Sequence, residues 1–158
     1  MPKVTRRDIR EWILQLLFQI DINPQNNLEF VFANFWIDKS PTASQKKFVE
    51  NFVKLVLTNL ATIDKIIASY AENWNLHRMG TVERNVLRMA IFEMVRSPSV
   101  PHVVVINEAV DIAKYFSTNM AGRFVNGILE KVRQDFPAIK QLFEKPAEQK
   151  IIAKNDAG

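Results

Sequence analysis

The chain of 158 residues contains no cysteine, which excludes disulfides and thiol catalysis and suits a reducing compartment. Four glycines are too few and too scattered for a P-loop or a dinucleotide fingerprint. The only histidines, His77 and His102, stand far apart with no cysteine to join them, so no metal site is expected. No stretch reaches about 18 consecutive apolar residues, and no charged segment leads into a signal-like apolar run, so neither a membrane span nor a secretory signal is expected. Glu83, Glu93, Glu108 and Asp111 fall on helical patterns whose spacing makes no catalytic pair, and no nucleophile arrangement is present. The expectation is a cytoplasmic protein that is not an enzyme and takes no cofactor.

What the chain does have is a core and a mild basic excess. Hydrophobic residues make up 47% and charged residues 24%, an ordinary balance for a soluble domain. Formal net charge is +4, compatible with nucleic acid but decided by distribution rather than total. Lys3, Arg6, Arg7 and Arg10 crowd the N-terminus against Asp8 and Glu11 alone.

Periodicity predicts an all-α single domain of six or seven helices over residues 1–136. Residues 137–158 are expected to form a frayed C-terminal extension: periodicity weakens after Phe136-Pro137, and residues from about Pro146 read as a tail. Thr5 and Asp8 fit a capping box. Ile9, Trp12, Ile13, Leu16, Leu17 and Ile20 then form one core-facing stripe that Asn23-Pro24 ends. Leu14 and Phe18 fall off that stripe, on the side of Arg7. Either a neighbouring helix covers them or they form a contact surface. A short helix follows Asn27. A longer one carries Phe48, Val49, Phe52, Val56, Leu60, Ile63, Ile67 and Tyr70, with a possible break near Thr58-Asn59. Trp74 and Leu76, in the loop that follows, are expected to fold back onto the core.

Residues 80–132 hold three further helical patterns. The first is apolar around much of its circumference, which places it in the middle of the core; Thr81 is its possible N-cap. Pro101 suits the first turn of the second. Two signals compete with helix: the β-prone run Val103 to Ile106 and the hairpin-like Asn126-Gly127. The helical stripe overrules the first. Gly127 lies inside a helical period and is expected to permit close helix packing.

With catalysis unsupported, binding remains. Arg6, Arg7 and Arg10 either neutralise phosphates or form a solvated charged end. Arg123 and Phe124 set a cation beside an aromatic at a helix start. Phe124 either stacks on a base or packs in the core.

The strings RRDIREWILQLLFQID, VLRMAIFEM, INEAVDIAKYF and RFVNGILEKV resemble, in order and spacing, the signature blocks of the NusB family of transcription antitermination factors. The resemblance spans roughly residues 5 to 136. It implies an all-helical domain that pairs with a small ribosomal protein acting as NusE and binds single-stranded boxA RNA in nascent, chiefly ribosomal, transcripts. It further implies assembly with other Nus factors on RNA polymerase, and a free form that is a monomer or homodimer. Carried onto this sequence, Arg6, Arg7, Arg10, Arg123 and Phe124 match RNA-side positions, and Phe18 and Glu83 match the NusE-facing surface. Phe18 stands where many members have tyrosine, so a hydroxyl bond to the partner is lost. The arginine run is thinner than in some relatives, and Met120 stands in a loop that is often acidic or polar. Two alternatives share the fold. A domain preceding an rRNA cytosine methyltransferase is disfavoured because no βαβ pattern or glycine-rich cofactor loop follows. The other is a helical adaptor that binds protein but not RNA.

Overall fold

The computed structural model describes residues 3–71 and 79–144. Its helices are α1 (Arg6–Ile22), α2 (Leu28–Trp36), α3 (Ala43–Thr58), α4 (Leu60–Tyr70), α5 (Thr81–Arg96), α6 (His102–Phe116) and α7 (Asn119–Gln134). An eighth helical stretch, α8, covers 136–144, and no strand occurs among the described residues. Trp74 and Leu76 lie outside those residues. None of the helices is long and apolar enough to cross a membrane.

Local chemistry sets most of the boundaries. Thr5 Oγ1 accepts from Asp8 N at 3.1 Å while Thr5 N donates to Asp8 Oδ2 at 2.8 Å, so the capping box is made reciprocally. Thr42 and Gln45 repeat it at α3. Asn27 caps α2 and Thr118 caps α7. The break between α3 and α4 falls at Asn59, whose side chain turns back to Leu55 O at 2.8 Å. At α5 the N-cap is Gly80 rather than Thr81, and no side chain caps the helix. Pro101 is the N-cap of α6, so the β-prone run Val103 to Ile106 lies within helix.

Helix α5 is the axis of the molecule. Every residue from Asn85 to Met94 is buried, and α1, α3, α4, α6 and α7 all pack against it. Three polar side chains go into the core with it, and each meets a partner from another helix. Arg88 Nε and Nη2 donate to the two Asp64 oxygens of α4 at 2.7 and 2.8 Å. Asn85 donates to Asp21 of α1 at 3.0 Å, beside Arg84 at 2.7 and 2.9 Å. Glu93 accepts both N–H groups of the Arg10 fork at 2.9 and 2.6 Å. Burial pushes the Asp21 carboxyl upward, but its bonds to Arg84 and Asn85 and the charge of Arg88 outweigh that and hold it below the ordinary range.

Two expectations need correcting here. Residues 137–144 are not frayed: the helix restarts with Pro137 in its first turn, a place where proline's missing N–H costs nothing. Ile139 is buried, and the Phe143 ring meets Phe92 at 6.2 Å. Gly127 does not permit close packing. An added Cβ there would find nothing within 4 Å, whereas at Gly122 it would lie 2.6 Å from Lys114 Cγ. The tight contact between α6 and α7 is at Gly122.

Candidate nucleic-acid and partner interfaces

The three N-terminal arginines have different surroundings. Arg6 is exposed, and among the described residues it makes no ion pair within 4.0 Å. Arg7 is half-buried. Its Nε donates to Glu108 Oε2 at 2.6 Å, its Nη2 contacts the same oxygen, and Nη2 also reaches Asp111 at 3.2 Å. Arg10 is 8% exposed, with its fork committed to Glu93 and a further contact to Glu108 at 3.6 Å. Desolvation opposes the charge on Arg7, and its bonds to Glu108 and Asp111 prevail, so both arginines are held more firmly protonated than usual. Neither alternative, phosphate contact or solvated charged end, describes Arg10, which is buried. Arg10 is a structural cation that ties α1 to α5, and two carboxylates flank Arg7, a setting that repels a phosphate. Spacing along α1 could not reveal this, because the partners lie 83 and 101 residues away.

At the other end of α6 the chain turns at a surface corner. Tyr115 is 78% and Met120 70% exposed, and Arg123 is exposed on the first turns of α7. Phe124 is half-buried and packs against the core. Tyr115, which meets Phe116 edge-on at 5.0 Å, went unnoticed in the sequence; its place one residue off the α6 stripe was the available signal. The corner thus offers an exposed ring, a thioether and a guanidinium, the set that stacks on bases and neutralises phosphates.

Phe18 lies on the opposite side of α1 from the core stripe. Its neighbour Leu14 is 2% exposed and belongs to the core. Phe18 is half-buried and lines a cleft of about 450 Å³ with Phe35, Lys39, Val82 and Phe116. Lys39 Nζ lies 3.9 Å from the Phe35 ring centroid and donates to Phe35 O at 3.0 Å. Glu83 follows Val82 in the first turn of α5 and folds back over Gly80, where an added Cβ would strike its Oε2 at 1.7 Å. Among the described residues its Oε1 is buried with no hydrogen-bond partner, a state costing about 1–3 kcal/mol. The half-buried Glu83 carboxylate, one residue from the cleft-lining Val82, suits a docking partner that brings a donor.

A larger groove of about 720 Å³ runs between α1, the start of α3 and the α5–α6 turn, lined by Arg6, Phe48, Phe52, Val100 and Val104 among others. Phe48 belongs to the apolar stripe of the long helical pattern, yet it is 52% exposed at this groove. Among the described residues no group of three or more histidine, aspartate or glutamate side chains is placed to hold a metal ion. His102 packs its ring on Phe136 at 4.3 Å, and burial, with the charge of Arg133, lowers its basicity.

Comparison with known proteins gives the family and the fold. The NusB family model matches residues 7–134. The transcription antitermination protein NusB of Methylacidiphilum infernorum is 39% identical over 133 residues, covering 84% of this chain and 92% of its own. That of Desulforapulum autotrophicum is 40% identical over 131 residues, covering 81% and 90%. Among solved structures, T. maritima NusB superposes with a TM-score of 0.77 at 34% identity over 84% of this chain and 93% of that one. A chain from a crystal structure of antitermination factors NusB and NusE in complex with double-stranded RNA superposes at 0.71, with 26% identity over 86% and 96%.

Proposed function

The chain belongs to the NusB family of transcription antitermination factors, and from that premise we propose that it joins a small ribosomal protein acting as NusE to boxA-type RNA on nascent transcripts. The observation that carries this reading is the close superposition on a NusB solved with both a NusE and RNA, over nearly the whole of each chain. The family's role is not enzymatic. Binding alone is therefore asked of these residues.

On this reading the protein partner docks at the cleft beside Phe18, with Glu83 supplying an acceptor at its edge. RNA lies along the α6–α7 corner, where Arg123 binds phosphate and Phe124 and Tyr115 stack on bases. Arg6 adds a sequence-blind phosphate contact at the start of α1. Arg7 and Arg10 act through the fold, fixing the start of α1 against α5 and α6. Assembly with the other Nus factors on RNA polymerase would follow from this ternary complex.

The test is a titration of the chain with fluorescently labelled boxA-type single strand, with and without the ribosomal protein, and with a duplex of the same sequence. Tighter binding of the single strand in the presence of the protein partner is expected. Phe18→Asp should abolish the protein complex while lowering the melting temperature by only a few degrees. Should the melting transition collapse instead, Phe18 is core and the partner face lies elsewhere. Binding of neither RNA form by a folded chain, with the protein complex intact, would favour the protein-only adaptor.

A further inference from the structure

Three glycines lie among the described residues, and two are explained by their own molecule. The space a side chain would take is filled by Glu83 at Gly80 and by Lys114 at Gly122. Gly127 differs. It lies inside α7 and is exposed, with nothing within 4 Å of where its Cβ would be. Its backbone is helical, so no positive φ calls for glycine. A glycine in the interior of an exposed helix is more costly than any residue except proline, and alanine would fit without contact. Among the described residues nothing accounts for it.

The surroundings of Gly127 are cationic and polar. Arg123 precedes it by four residues and Lys131 follows by four, so all three share one face over about 12 Å of helix axis. Both cations are exposed, as is Asn126. Phe124, three residues back, lies on the same side. A protein partner would more usually find apolar anchors on such a face. A strand of phosphates finds two cations with a gap in the side-chain layer between them.

We propose that Gly127 is the point of closest approach of RNA to this protein, where the missing side chain lets a ribose–phosphate segment lie directly on the α7 backbone between Arg123 and Lys131. The proposal rests on the RNA-binding reading above and adds to it a residue whose contribution is the volume it leaves empty. It makes two expectations of opposite sign. Any side chain at 127 should stabilise the free protein, and any side chain there should hold RNA away.

The experiment uses the full chain together with its ribosomal protein partner and a labelled boxA-type single strand, at one fixed salt concentration. Wild type, Gly127→Ala, Gly127→Leu and Arg123→Ala are compared for RNA affinity, and their melting temperatures are measured on the chain alone. Gly127→Ala should raise the melting temperature by about 2–4 °C and weaken RNA binding several-fold. Gly127→Leu should weaken it by about tenfold or more (about 1.4 kcal/mol) with the fold and the protein complex intact. If Arg123→Ala weakens RNA binding but both Gly127 variants bind like wild type, the proposal alone is overturned. If the Gly127 variants lose the ribosomal protein and keep RNA, the face serves a protein and the proposal is again overturned. A wild-type complex that binds no RNA removes the RNA reading itself, and this inference with it.

Discussion

Helices α5 and α7 are both 16 residues long, and they use their polar residues in opposite ways. In α5 the polar residues go inward: Asn85, Arg88 and Glu93 are buried, and each is bonded to a partner from α1, α4 or α5 itself. In α7 the buried stripe Ala121, Val125, Ile128, Leu129 and Val132 is apolar, and Arg123, Asn126, Lys131 and Gln134 face outward. Arg88 and Glu93 of α5 are committed to holding the fold, whereas the side chains of Arg123 and Lys131 on α7 are exposed. The difference teaches that a cation's count says little about binding until its partners are known. Arg10 and Arg123 are the same residue type, one in each class.

Glu93→Ala is the hardest test of the inward half of that comparison. It leaves the Arg10 guanidinium buried with only the 3.6 Å contact to Glu108, and should cost about 3 kcal/mol in urea unfolding, the low end for breaking a buried pair. A loss under about 1 kcal/mol would mean that water reaches the site and Arg10 is not structural.

Phe124→Ala tests the boundary between the halves. Because the ring is half-buried, stability should fall by about 1–2 kcal/mol, well short of the 3–5 kcal/mol of a fully buried phenylalanine. RNA affinity should fall by about tenfold if one base stacks there. Loss of stability with unchanged RNA affinity would assign the whole ring to the core.

Acid is a gentler probe of the inward charges. Asp21 is held below the ordinary carboxyl range in the folded state, so its contribution is fully present above about pH 3.9 and is lost as pH falls through its depressed folded value. Asp21→Asn should therefore flatten the fall in melting temperature below about pH 4 while leaving RNA binding at pH 7 unchanged. An acid limb of the same slope in the variant would show that Asp21 does not carry it.

Much of the scaffold was legible because it depends on near neighbours. The capping box at Thr5, the cap at Asn27 and the break at Asn59 are set by residues within one turn, and the circumferential apolarity of α5 announced a central helix. What was not legible depends on distant partners. Arg6, Arg7 and Arg10 look alike in sequence, and only the arrival of α5 and α6 separates them. Phe136-Pro137 reads as an ending, yet the same pair opens α8, because proline suits a first turn as well as a stop. Gly122 and Gly127 could not be told apart without knowing which lies under Lys114. The family signature names candidate surfaces, but not which of their residues are already committed inside the fold.

If outward cations rather than the buried arginines hold RNA, the salt dependence of RNA binding depends on Arg6 and Arg123. Each phosphate contact to a single strand contributes about 0.7 to the slope of log affinity against log salt. Replacing Arg6 and Arg123 together by alanine should flatten that slope by about 1.4, with the melting temperature within a degree or two of wild type because both side chains are exposed. A double variant that keeps the full wild-type slope would contradict the account.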